Sequence, residues 1–165
     1  MATITFRYDV PIDQTMAFEA VYHHTEQLDL SRKKRIWDAP GSVFVWMFVD
    51  GELAGETYGI PLASSIEGLT DMADMNDMTD TEKKTGIHCY SNTILPPFQN
   101  QGLGTVLKAH WLGLAAGKGF DNVYGYARPG ASQSLNAKFG AVFLDRFPNW
   151  CGTGEEYKMY RLVLK

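Results

Sequence analysis

Ile94-Leu95-Pro96-Pro97-Phe98-Gln99-Asn100-Gln101-Gly102-Leu103-Gly104-Thr105 lies between a predicted strand, Ile87 to Leu95, and the strongest predicted helix, Leu103 to Lys118. Glycines at 102 and 104 leave the main chain bare, so a bulky anion can approach several N–H groups at once. Those groups belong to the first helical turn, where donors lack partners and the helix dipole is positive. The stretch therefore reads as a pyrophosphate cradle built from Gln99, Asn100, Gln101, Gly102, Leu103, Gly104 and Thr105. Other phosphate loops fit less well. A Walker loop needs Gly-Lys-Ser/Thr, and a dinucleotide fingerprint needs a third glycine where Leu107 stands. A glycine-rich helix start with no ligand is the plain alternative.

Outward from this loop the chain alternates strands and helices. Residues 3 to 10 alternate apolar and polar, as a strand does, and Pro11 ends them. Asp13 can cap a helix beginning at Gln14 or Thr15, with Ala17, Ala20, Val21, His24 and Leu28 as its buried stripe. The basic run Arg32-Lys33-Lys34-Arg35 reads as a solvated helix end. Val43 to Val49 and Leu53 to Ile60 form a hairpin around Asp50-Gly51, a favoured two-residue turn.

Residues 62 to 85 break the rhythm with methionine and aspartate at intervals of three, among them Met72, Met75 and Met78. This is read as an amphipathic surface insertion held down by its methionines, a substrate lid being the alternative. The helix from Leu103 has the stripe Leu103, Val106, Leu107, His110, Trp111 and Leu114. Asn122 to Ala127 is a strand, Ala131 to Lys138 a short helix, and Ala141 to Phe147 and Tyr157 to Leu164 two more strands. The order β-α-β-β-β-α-β-α-β-β predicts one α/β (α+β) domain over 1–165, a mixed sheet of about six to seven strands flanked by helices.

Composition narrows the function classes. With 45% hydrophobic and 21% charged residues in 165, the chain can bury a sizeable core. A formal charge of -4 argues against nucleic acid as the main partner. Cys89 and Cys151 are too few for a disulfide framework and lack the spacing of a zinc site, so no metal is expected and a reducing compartment is the simpler reading. No apolar run is long enough to span a membrane, and the start has no signal-peptide core, so a cytoplasmic protein is expected.

The loop and its flanks resemble the GNAT acyltransferase superfamily. That family marks its acyl-CoA site with Gln/Arg-x-x-Gly-x-Gly/Ala, matched by Gln99, Gly102 and Gly104, and Leu95-Pro96-Pro97-Phe98 resembles the segment that precedes it. The element order is also similar. Downstream, Ser132, Leu135, Lys138 and Gly140 fall in register with a second family segment. Two positions depart from it: Pro129 or Gly130 replaces an Asn, and Asn136 stands where a tyrosine often protonates the departing thiolate. The resemblance implies acetyl-CoA as co-substrate, Ser132 among the groups that bind it, and backbone N–H groups of Ile94 and Leu95 as oxyanion donors.

An alkylammonium with pKa about 10.4 costs about 4 kcal/mol to deliver neutral at about pH 7.4, so a base or desolvating pocket is useful. His88, Tyr90, Asn92 and Ile94 are expected on one strand face. Some family members carry a glutamate base eleven residues before the motif's Gln/Arg, an offset that lands on His88, and an imidazole near 6.5 would serve. An ordinary hydrogen-bonded histidine is the alternative. Glu56 is the other candidate, as base or anchor of a cationic substrate, against an outward-facing strand glutamate. Asn136 could donate to the thioester sulfur or pantetheine but is no proton source. No role is expected for His23, His24 or His110; Tyr157 and Tyr160 read as packing residues, and Cys151 as a structural thiol.

Three functions follow from the resemblance. One is an N-acetyltransferase acting in a ternary complex on a small-molecule or protein amine; the acidic residues Glu67, Asp71, Asp74, Asp77, Asp80 and Glu82 hint at a cationic one. Another is a catalytically silent acyl-CoA-binding module, and the third is a protein-interaction module using the methionine-rich insertion. Whether subunits pair as a homodimer is left open.

Overall fold

In the computed structural model, residues 1–21, 28–64 and 78–164 are described. His23, His24 and the predicted insertion's run from Asp71 to Asp77 lie outside them. The strands are β1 (Ile4–Arg7), β2 (Val43–Val49), β3 (Glu52–Pro61), β4 (Gly86–Ile94), β5 (Asn122–Ala127), β6 (Val142–Phe147) and β7 (Tyr157–Val163). They form a seven-stranded sheet in the order β1-β2-β3-β4-β5-β7-β6, parallel between β4 and β5 and antiparallel elsewhere. The helices are α1 (Leu30–Asp38), α2 (Asp80–Thr85), α3 (Leu103–Gly117) and α4 (Ala131–Lys138). This is the expected mixed α/β architecture.

The β2–β3 hairpin follows from its turn. Asp50 (φ 50°) and Gly51 (φ 87°) are both left-handed, the geometry that matches the twist of the flanking strands. Alternation along β2 then divides two cores. Val43, Val45, Met47 and Val49 pack with Leu107, Trp111 and Ala115 of α3. Phe44 and Trp46 point to the other face, against Phe18, Ile36 and Tyr58.

The N-terminal half differs from expectation. The first strand is four residues long, and the predicted helix after Asp13 is a 3-10 segment, Ile12–Val21. It buries Ile12, Thr15, Phe18 and Glu19, while Ala17 and Ala20 are exposed. The basic run lies inside α1, which starts where the Asp29 carboxylate accepts from the Arg32 N–H at 2.7 Å. Lys33 is not solvated as expected but fully buried. In the predicted insertion, Leu62 is buried and α2 is fixed by a capping box between Thr79 and Glu82. Along α3, Val106 is exposed and Lys108 is buried, reversing the expected stripe at those positions. Among the described residues no helix is long and apolar enough to cross a membrane.

Candidate active site

The site begins with a one-residue irregularity in β4. Ser91 pairs with Tyr58 and Cys89 with Gly59, so Tyr90 is an extra residue, a β-bulge. The parallel ladder between β4 and β5 stops at His88↔Tyr124, although β4 runs on to Ile94 and β5 to Ala127. A cavity of about 810 Å³ is lined by this free part of β4, the start of α3, the end of β5 and α4.

The bulge also reverses the alternation, so the four residues expected on one face are divided. His88 and Tyr90 lie together, ring centroids 4.2 Å apart, on the face that carries Tyr58. Asn92 and Ile94 turn to the α3 face, where the Asn92 Nδ2 donates to the Gly104 carbonyl at 3.4 Å. Gly59 sustains this register: a Cβ there would meet the His88 carbonyl oxygen at 2.3 Å and Trp111 at 2.8 Å.

After β4 the chain makes a short 3-10 turn, Pro96–Phe98, and the Gln99 side chain folds back to donate to the Ile94 carbonyl at 2.8 Å. Asn100 (φ 61°) and Gly102 (φ 77°) take left-handed conformations that swing the main chain round to α3. The N-cap is Gly102, which has no side chain with which to satisfy the first turn. The earliest helical bond is from the Thr105 N–H to the Gly102 carbonyl at 3.1 Å. The N–H groups of Leu103 and Gly104 precede it and have no acceptor within the helix.

A Cβ on Gly104 would lie 3.7 Å from Ile94 and 3.8 Å from Asn92, ordinary contact distances. The fold itself therefore does not require glycine at 104, whereas close approach of a ligand to the main chain does. Gln99, Asn100, Gly102, Leu103 and Gly104 line the cavity; Gln101 and Thr105, also expected in the cradle, do not.

The two expected oxyanion donors separate. The Leu95 N–H is spent on the Ala54 carbonyl at 2.9 Å, so it is unavailable. In the same antiparallel register Ile94 faces Gly55, and alternation turns its N–H away from β3 toward the opening. Of the two N–H groups, that of Ile94 is the one not spent on β3.

On the opposite wall are Ser132 and Asn136 of α4, both lining the cavity. The Asn136 Nδ2 donates to the Ser132 carbonyl at 2.9 Å, which leaves Oδ1 buried without a donor. The Asn92 Oδ1 is in the same position. A buried acceptor without a donor costs about 1–3 kcal/mol, which a ligand N–H would recover.

His88 lines the cavity, 6% exposed, with Nδ1 lacking a partner. Burial lowers its pKa from the ordinary 6.5 to about 4, so at neutral pH it is an uncharged imidazole and a weaker base than the sequence suggests. Glu56 is fully buried, neither facing outward nor lining the cavity. Its carboxylate takes the Lys33 ammonium at 2.8 Å and the Trp46 indole N–H at 2.8 Å. Burial raises its pKa to about 7, with Lys33 opposing the rise.

Glu19, which shares Lys33 at 3.2 Å, does line the cavity. Sequence reasoning missed it, although its position seven residues after Ile12 and four after Thr15 places a carboxylate in the apolar stripe. Lys108 was missed too. Its ammonium lies 3.3 Å from the Cys89 sulfur and 3.2 Å from the Tyr160 hydroxyl, in the same cavity. Burial, and then Cys89, push the Tyr160 hydroxyl well above its usual pKa. Neither thiol is in a disulfide; Cys89 is buried and Cys151 exposed.

No family model matches the sequence, and comparison with curated proteins also gives no match. Solved structures do match. The ribosomal-protein-S18-alanine N-acetyltransferase of Escherichia coli superposes with a TM-score of 0.72 at 13% identity, covering 100% of this chain and 95% of its own. NAA60 of Arabidopsis thaliana, in complex with acetyl-CoA, gives 0.73 at 11% identity over 98% of both chains. yncA of Salmonella typhimurium, with its cofactor acetyl-CoA, gives 0.69 at 16% identity over 99% of this chain and 95% of its own. This chain has the GNAT fold. At these identities the likeness concerns the fold, and function has to be argued from the site.

Proposed function

We propose that residues 1–165 form a single N-acyltransferase domain that carries an acetyl group from acetyl-CoA to a primary amine by direct attack in a ternary complex. The observation that carries this reading is the uncapped start of α3, opening onto a cavity between strands that part at His88. Acetyl-CoA would supply the activated acyl group. The N–H groups of Leu103 and Gly104 would hold its pyrophosphate, as main-chain donors at a positive helix end. The orphaned amide oxygens of Asn92 and Asn136 suit the amide N–H groups of the pantetheine arm. The Ile94 N–H faces the opening and would donate to the acyl oxygen. His88, uncharged and facing the same cavity, would accept a hydrogen bond from the attacking nitrogen rather than store a proton at neutral pH.

Amine-dependent release of free thiol from acetyl-CoA, with an acetylated amine identified by mass, tests the reading. Thiol release that no amine stimulates, in a protein that binds acetyl-CoA, would favour a second reading, a binding module without turnover. Asn136 in place of a proton-donating tyrosine supports that alternative. Loss of acetyl-CoA binding with a persistent protein complex would favour an interaction module instead.

A further inference from the structure

The cavity has a second wall, on the sheet face opposite α3, that holding acyl-CoA does not explain. A continuous row of rings crosses it. Tyr58 and Tyr90 have centroids 6.2 Å apart, Tyr90 and His88 4.2 Å, His88 and Tyr126 6.1 Å, and Tyr126 and Trp150 4.6 Å. All five line the cavity, and Tyr90, Tyr126 and Trp150 are only half-buried.

At one end of this row the Tyr58 hydroxyl donates to Glu19 at 3.1 Å. Glu19 is 1% exposed and also lines the cavity. Its other contacts are the Leu28 N–H at 3.4 Å and the Lys33 ammonium at 3.2 Å. Lys33 is itself bound to Glu56 at 2.8 Å and donates to the Thr15 carbonyl at 3.0 Å. Among the described residues it is the only cation within ion-pair distance of either carboxylate. Two buried carboxylates thus share one buried ammonium, which leaves a negative charge in excess. Buried charge is costly unless paired. The excess can be met by a proton, as the raised pKa of Glu56 indicates, or by a cation entering from the cavity. Arg32 also lines the cavity but is exposed, where solvent screens it.

We propose that this wall is the acceptor subsite and takes a cationic acceptor, with an ammonium other than the attacking amine against Glu19 and its apolar or aromatic body along the Tyr90, Tyr126 and Trp150 rings. Rings facing a cation, with a carboxylate at the end of the row, are the chemistry that selects an arylalkylammonium. This assignment rests on the acyl-transfer reading for its purpose but not for its test.

The test is calorimetric binding of phenethylamine and of its uncharged analogue 2-phenylethanol near neutral pH, with no acyl-CoA present and CoA affinity measured separately. Wild-type protein is expected to favour the ammonium about tenfold or more. Glu19→Gln should abolish that preference and leave CoA affinity unchanged, and Trp150→Leu should weaken both ligands together. Equal binding of the two compounds by wild-type protein, or binding of neither by a folded sample, would overturn the proposal whether or not Glu19→Gln folds. Absence of CoA binding beside a preserved ammonium preference would instead count against the acyltransferase reading alone.

Discussion

Replacing Gly104 by alanine separates what the fold needs from what a ligand needs. The added methyl would meet Ile94 at 3.7 Å and Asn92 at 3.8 Å, so nothing in the protein has to move. Gly104 also lacks a positive φ, so alanine can adopt its conformation. A compatible glycine-to-alanine change stabilises a protein by about 0.4–1 kcal/mol, chiefly through the unfolded chain. In a protein of this size that corresponds to a rise in Tm of roughly 1–4 °C. The same methyl stands among the N–H groups proposed to hold the pyrophosphate. A hydrogen bond to a charged group is worth about 1.5–3 kcal/mol, so losing one weakens acetyl-CoA binding about 10- to 150-fold. Stability and affinity should therefore move in opposite directions, read by thermal denaturation and calorimetry on the same sample. Gly104→Val should weaken binding at least as much. A Tm that rises while acetyl-CoA affinity stays unchanged would refute the cradle.

Three further outcomes follow from the site. His88 is uncharged in the folded protein down to about pH 4 but charges in the unfolded chain below 6.5. The unfolded state then binds the extra proton, so stability falls as pH drops through that window, by about 3 kcal/mol from this group. His88→Phe should flatten that decline in pH-dependent denaturation; an unchanged slope would contradict the burial argument. Lys33→Met leaves Glu19 and Glu56 buried with no cation among the described residues, and a loss of about 3–5 kcal/mol is expected in urea unfolding. A variant as stable as wild type would mean that the carboxylates are protonated or hydrated. Gly59→Ala drives a Cβ onto the His88 carbonyl, so the β4 register should yield and both Tm and acetyl-CoA affinity should fall together. An alanine variant that keeps both would show that the bulge is not held by this contact.

The strand, glycine loop and helix around Gly102 and Gly104 were legible because their signal is local: two glycines, a strand before them and a helix after. The hairpin was legible for the same reason, through Asp50-Gly51. What escaped depends on partners distant in the chain. The bulge at Tyr90 exists only in the pairing of β4 with β3, and it moved Asn92 and Ile94 to the face opposite His88. The Leu95 N–H looked available until β3 supplied the Ala54 carbonyl. Lys33 reads as one of four solvated basic residues, and its burial is visible only once Glu19 and Glu56, on two other elements, converge on it. Glu56 was singled out by strand position, but of the two carboxylates that share Lys33 it is Glu19 that lines the cavity.

The most direct test of the account is calorimetric titration of the wild-type protein with acetyl-CoA, followed by thiol release on adding a cationic amine to the same sample. The account predicts saturable one-to-one binding and release that depends on the amine. A folded protein that takes up no acetyl-CoA would contradict it.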